Sequence, residues 1–201
     1  MKKSAWMILS LVLMAVSSYG QSTTSLAVMA GYSMSAFEDQ EDAAGTVPLG
    51  IQLGMMASPN LQIGLEGNYL LGGFIWEDKD EDYTLKTTFD QMIGSAYAKL
   101  FLGQGSSRPF VKGGVGYFMG DVKASYETDG EEEDETYKID PAIGFIVGGG
   151  IELSPSLFVE FNYNLVKRQF GDSDDEALED SDSEKFGMNS WSVMLGYKIK
   201  L

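Results

Sequence analysis

The sequence predicts an all-β protein, an eight-stranded antiparallel up-and-down barrel that spans a membrane. Three observations point there. Runs of about eleven residues alternate apolar and small or polar side chains, the period of a strand with two unlike faces. The connections between runs alternate between short and long. The last run, Trp191, Val193, Leu195, Tyr197, Ile199 and Leu201, keeps its apolar phase up to the final residue. Termini of soluble domains usually fray, whereas a strand that closes a barrel against the first strand has reason to end in this way.

In chain order the predicted strands are 26–36, 47–57, 61–71, 91–101, 109–119, 143–153, 157–167 and 191–201. The first sets Leu26, Val28, Ala30 and Tyr32 against Ala27, Met29, Gly31 and Ser33. The second sets Leu49, Ile51 and Leu53 against Gly50, Gln52 and Gly54. In the third, Ile63, Leu65 and Tyr69 oppose Gln62, Glu66 and Asn68. The fourth leaves its phase open: Ile93, Tyr97 and Phe101 share one face with Gln91, Ser95 and Lys99, and a bulge there would switch the faces. In the fifth, Val111, Val115 and Tyr117 oppose Lys112, Gly114 and Gly116. The sixth and seventh place Glu152 and Glu160 opposite Phe145, Val147, Phe161 and Tyr163. Each run has the roughly 9–11 residues that a tilted bilayer strand needs. Connections 58–60, 102–108 and 154–156 are short and rich in Ser, Pro, Asn and Gly. Those at 37–46, 72–90, 120–142 and 168–190 are long.

The polar faces carry mainly Gly, Ser and Ala, which suits a narrow lumen better than a water-facing exterior. Aromatic residues Tyr32, Tyr69, Trp76, Phe89, Tyr117, Tyr163 and Trp191 gather next to the long loops, where a membrane girdle would lie. A soluble lipocalin-like carrier, its apolar face turned inward around a ligand, is the competing architecture.

Residues 1–20 read as a secretory signal peptide: Lys2 and Lys3, an apolar stretch from Ala5 to Val16, then Ser18-Tyr19-Gly20 before Gln21. The barrel domain is then 21–201, and the expected location is the outer membrane of a Gram-negative bacterium. The C-terminal run resembles the assembly-signal strand of bacterial outer-membrane barrels, with Leu201 where Phe is most frequent. The segment Arg108–Tyr117, RPFVKGGVGY, resembles the matching stretch of small barrels of the OmpA membrane domain and OmpX-like family. That resemblance implies eight strands, short periplasmic turns, long outer loops, insertion by the barrel-assembly machinery into outer-membrane lipid, and a monomer. It also implies an ionic network in the lumen.

Composition narrows function. The chain has 30 acidic and 14 basic residues and a formal net charge of −16, which excludes nucleic acid as a partner. It has no Cys and no His, so thiolate and imidazole chemistry are absent. Enzyme families on small outer-membrane barrels (phospholipase, omptin protease, palmitoyl-transferase) use a His, so the chain reads as non-enzymatic, with no cofactor. Among 30 acidic residues, only Glu66, Glu152 and Glu160 lie inside the predicted strands. Asp78-x-Asp80-x-Asp82 opens like a calcium loop, but Tyr83 replaces the required Gly and Phe89 the closing Glu, so no metal site is assigned. Glu131–Glu135 and Asp172–Glu184 read as solvated, self-repelling loop tips that hold divalent cations diffusely at most.

The candidate site is therefore the lumen. Glu66, Lys112, Glu152, Glu160 and Lys198 fall on its phase, and buried charges must be paired. Counting from strand ends, the expected pairs are Glu160 with Lys198, Glu152 with Lys112, and Glu66 with Lys112. The role expected is structural or interactive, through the acidic outer loops. A small passive ion or solute channel is the alternative.

Overall fold

The computed structural model describes residues 24–37, 45–71, 74–79, 84–103, 105, 107–128, 131–168 and 186–201. The signal-peptide segment 1–20, most of the Asp78–Asp82 motif and the Asp172–Glu184 run lie outside these residues. All described elements are strands. Eight of them build the barrel: β1 (Thr24–Phe37), β2 (Val47–Ser58), β3 (Leu61–Leu71), β6 (Met92–Phe101), β7 (Arg108–Met119), β10 (Ala142–Glu152), β11 (Leu157–Leu165) and β13 (Phe186–Lys200). Each pairs antiparallel with its neighbour in that order, and β13 closes the ring onto β1 from Ser25–Lys200 to Phe37–Met188.

The stagger of the ring is fixed by these registers. A path across partners from Thr24 runs through Met55, Ile63, Ala98, Gly113, Val147, Tyr163 and Trp191. It returns to β1 at Met34, ten residues from its start. Eight strands with that shear tilt by about 40° and leave an interior that side chains fill.

Alternation of burial is nearly unbroken. Val28, Ile51, Leu65, Val115, Phe145, Phe161 and Leu195 are exposed on the outer surface, while Met29, Gln52, Glu66, Phe158 and Met194 are buried within. The open phase of the fourth strand is resolved: Ile93, Ser95, Tyr97, Lys99 and Phe101 point inward, and Met92, Gly94, Ala96, Ala98 and Leu100 outward, with no bulge. The one irregularity of register among the described barrel strands falls between Met56 and Ser58. Lumen glycines make room for large neighbours. A Cβ at Gly64 would stand 2.6 Å from the Tyr97 hydroxyl, and one at Gly196 would meet the Phe158 ring.

An outward apolar face on every strand is what lipid requires of a barrel. Leu195 sits on β13 opposite Ala30 and Val159 and is 54% exposed. Leu195→Arg is therefore expected to lower stability by about 2–4 kcal/mol near the midplane, measured by denaturant unfolding in lipid vesicles. A cost near zero would show that this face meets water.

Two corrections concern the long connections. Segments 72–90 and 120–142 are not simple loops. They contain β4 (Phe74–Lys79), β5 (Thr84–Phe89), β8 (Asp121–Thr128) and β9 (Glu131–Lys138), which form a separate sheet in the order β4-β5-β8-β9. Glu131–Glu135 thus belongs to a strand, paired with Ser125–Thr128 and Ala124. A five-carboxylate run has poor strand propensity, but β8 and β9 prolong the hairpin already set by β7 and β10, so tertiary context overrides it. Phe89 is likewise no girdle residue; it is the last residue of β5 in this sheet, and at 3% exposure it joins the buried cluster at the sheet's base. Tyr32, Tyr69 and Tyr117 are exposed near the same end of the barrel, and Tyr32 packs on Trp191 with ring centroids 6.0 Å apart.

Candidate functional site: the filled lumen and the outer sheet

The lumen is layered. In its middle, Lys112 Nζ lies 2.6 Å from Glu66 Oε2 and 2.6 Å from Glu160 Oε1. Lys99 Nζ lies 2.5 Å from Glu160 Oε2 and donates to Gln52 Oε1 at 2.8 Å. The Gln52 amide donates to Glu66 and, at 3.3 Å, to both Glu160 oxygens. Asn68 and Asn162 add donors to Glu66 at 2.6 Å and to Glu160 at 3.0 Å. Two lysines and two carboxylates make this layer neutral, and all four are at most 4% exposed.

The arrangement has a cause in the register. Lys99 and Lys112 are direct partners across β6 and β7, and like charges so placed repel. Glu160, reaching across the lumen from β11, bonds both and converts the clash into a bridge. Lys99 also lies 4.7 Å and 4.8 Å from the Phe158 and Phe110 ring centroids, a favourable placement for a desolvated ammonium.

Below it, toward the short turns, Glu152 accepts from Arg108 Nη2 at 2.5 Å and Nε at 3.1 Å, and from Lys198. The Arg108 guanidinium stacks 4.2 Å from the Phe101 centroid. Two of the expected pairs are thus corrected. Glu160 is level with Met194, not Lys198, and Glu152 is level with Arg108, not Lys112. Counting from strand ends assumes that strands begin level, but β13 runs past the start of β11, so Lys198 drops beside the Ser154–Ser156 turn, where its backbone N–H bonds Ser156. Glu66 and Lys112 do meet. Lys99, Arg108 and Gln52 are members that sequence reasoning did not place in the network. Lys99 shares its face with Ile93, Tyr97 and Phe101, which masks the lumen phase.

Above the ionic layer the lumen turns apolar. Leu70, Phe89, Ile93, Phe118, Ile146 and Met188 pack together, each at most 4% exposed, and close the mouth toward the long connections. Over this plug lies Arg168, in the short strand β12 (Lys167–Arg168) that pairs with Phe186–Gly187. It is 1% exposed and donates to the carbonyls of Gly120, Ile139 and Asp140 at 3.3 Å, with its guanidinium 5.4 Å from the Phe89 centroid. Those carbonyls stand where β7 passes into β8 and β9 into β10. Gly120 has φ +155°, and a Cβ there would strike the Asp90 carbonyl. Arg168 therefore ties the end of β11, next to β10 in the ring, to the base of the outer sheet. On the surface nearby, Lys123 and Asp90 pair at 2.9 Å, which holds the Lys123 ammonium above its ordinary pKa. Such an exposed pair adds little stability. Among the described residues no group of carboxylates is arranged to hold a metal ion.

A family model described as "Outer membrane protein beta-barrel domain" matches residues 7–198. The chain belongs to that family. It is an outer-membrane barrel, and the soluble carrier architecture falls. Among solved structures it resembles Neisserial surface protein A, with 12% identity and a TM-score of 0.50 over 90% of this chain and 99% of that one. It equally resembles Ail, the attachment invasion locus protein of Yersinia pestis, with 11% identity and a TM-score of 0.50 over 89% and 99%. At such identities the likeness concerns the fold. No curated protein sequence matches the chain.

Proposed function

We propose that this barrel is a non-enzymatic surface protein: a sealed outer-membrane platform that presents an acidic sheet and loops to the exterior. The observation that carries it is the continuation of β3, β6, β7 and β10 past the plugged mouth into the sheet β4-β5-β8-β9, which Arg168 fastens to the rim. By the rule for such barrels, the end with short turns faces the periplasm, so this sheet stands outside the cell. A channel would need a water column, whereas here the lumen is crossed by ion pairs and capped by phenylalanines. A catalytic site would need a positioned base, and among the described residues the buried carboxylates Glu66, Glu152 and Glu160 are each held in ion pairs. NspA and Ail bear names of surface and attachment proteins, in keeping with such a platform.

The partner surface that suits this exterior is basic, or rich in divalent cations held diffusely. Cells displaying the protein are expected to retain a fluorescent lysine-rich peptide at low salt and release it as salt rises. Removing residues 172–184 is expected to lower that retention and leave the heat-modifiable barrel band intact on a gel, because the run lies outside all the described barrel strands. Equal retention by cells lacking the protein would contradict the reading. A stoichiometric, micromolar calcium site lost with the deletion would replace diffuse charge with a specific metal function.

A further inference from the structure

A cavity of about 10 Å³ lies at the periplasmic end of the lumen, lined among others by Ser25, Gln62, Tyr97, Lys99, Glu152 and Lys198. That is room for one water-sized sphere. The groups that reach it mostly present protons. The Tyr97 side chain is 4% exposed and its hydroxyl has no partner. Lys99 uses two of its N–H bonds, on Gln52 and Glu160, and Lys198 one, on Glu152. An ammonium has three donors and no acceptor. Gln62 donates to Ser25, and Ser25 donates in turn to the Gly54 carbonyl. Glu152, the lining carboxylate, is already shared by two cations.

Charge points the same way. The described lumen holds Lys99, Lys112, Arg108 and Lys198 against Glu66, Glu152 and Glu160. The middle layer is neutral, so the excess positive charge falls at the bottom, beside the cavity. A buried charge without a counter-ion is costly. Arg108 and Lys198 keep 24% and 12% of their side chains exposed, which leaves a way in from the periplasm.

We infer that this cavity is a binding site for one small monovalent anion, chloride in its natural setting, held by the Tyr97 hydroxyl and the Lys99 and Lys198 ammonium groups. A water molecule is the competing occupant. Its two protons would go to the Gln62 side-chain oxygen and the remaining lone pair of Glu152, whereas an anion is met by the Tyr97, Lys99 and Lys198 donors.

The test uses the purified barrel in detergent. Crystals soaked in sodium bromide are expected to show one anomalous peak within hydrogen-bond distance of Tyr97, Lys99 and Lys198. Thermal unfolding in sodium chloride is expected to have a higher midpoint than in sodium gluconate of equal ionic strength. Tyr97→Phe, which removes only the hydroxyl, should weaken halide binding about tenfold, in line with one hydrogen bond to a charged group. Density in the cavity with no anomalous signal, together with identical midpoints in the two salts, would assign the space to water and overturn the proposal.

Discussion

Lys112→Met is expected to destabilise the barrel by about 3–5 kcal/mol. Lys112 has a fully buried side chain and neutralises Glu66 and Glu160 at once. Its removal leaves two carboxylates facing Lys99 alone, in a region without solvent to compensate. The companion is Lys112→Met with Glu66→Gln. That pair keeps Lys99 with Glu160 at 2.5 Å, restores neutrality and should recover much of the loss. Denaturant unfolding of both variants in the same lipid is the measurement. A double variant as unstable as the single one would show that the cost of Lys112→Met is lost packing and not unpaired charge.

Phe118→Ala is expected to cost about 3–5 kcal/mol through the cavity it opens. The Phe118 side chain has no exposed surface, and its ring lies over Gly116 and Gly144, themselves partners across β7 and β10. A Cβ at Gly144 would stand 2.8 Å from that ring, so the two glycines form the seat of the plug. Phe118→Leu should cost far less, because it refills most of the volume. A loss under about 1 kcal/mol for the alanine variant would show that the plug is not packed as a core.

The fold was legible because lipid imposes the same demand on each strand. An apolar outer face at Leu49, Leu65, Val115, Phe145 and Leu195 shows in the sequence as period two, and loop lengths orient the barrel. The lumen was legible by phase but not by pairing. Glu66, Lys112, Glu152, Glu160 and Lys198 could be assigned to the interior one strand at a time. Which of them meet depends on the ten-residue stagger, a property of all eight registers together. That is why Glu152 bonds Arg108 and Lys198, and why Lys99 stands in the place expected for Lys198. The outer sheet was hidden for a different reason. Glu131–Glu135 looks like a solvated run by composition, and it pairs only because the barrel beneath supplies two strands already in register. Arg168 gave no local signal at all, since its acceptors are backbone carbonyls of residues 28 to 48 positions away.

The claim that the lumen is filled and closed is tested most directly by single-channel recording of the wild-type protein in a planar bilayer. Ion pairs across the middle layer and phenylalanines over the outer mouth predict a flat baseline with no reproducible conductance steps. Steady, ohmic openings that persist in the wild type and are unchanged by Lys112→Met would contradict a sealed barrel and make the protein a channel.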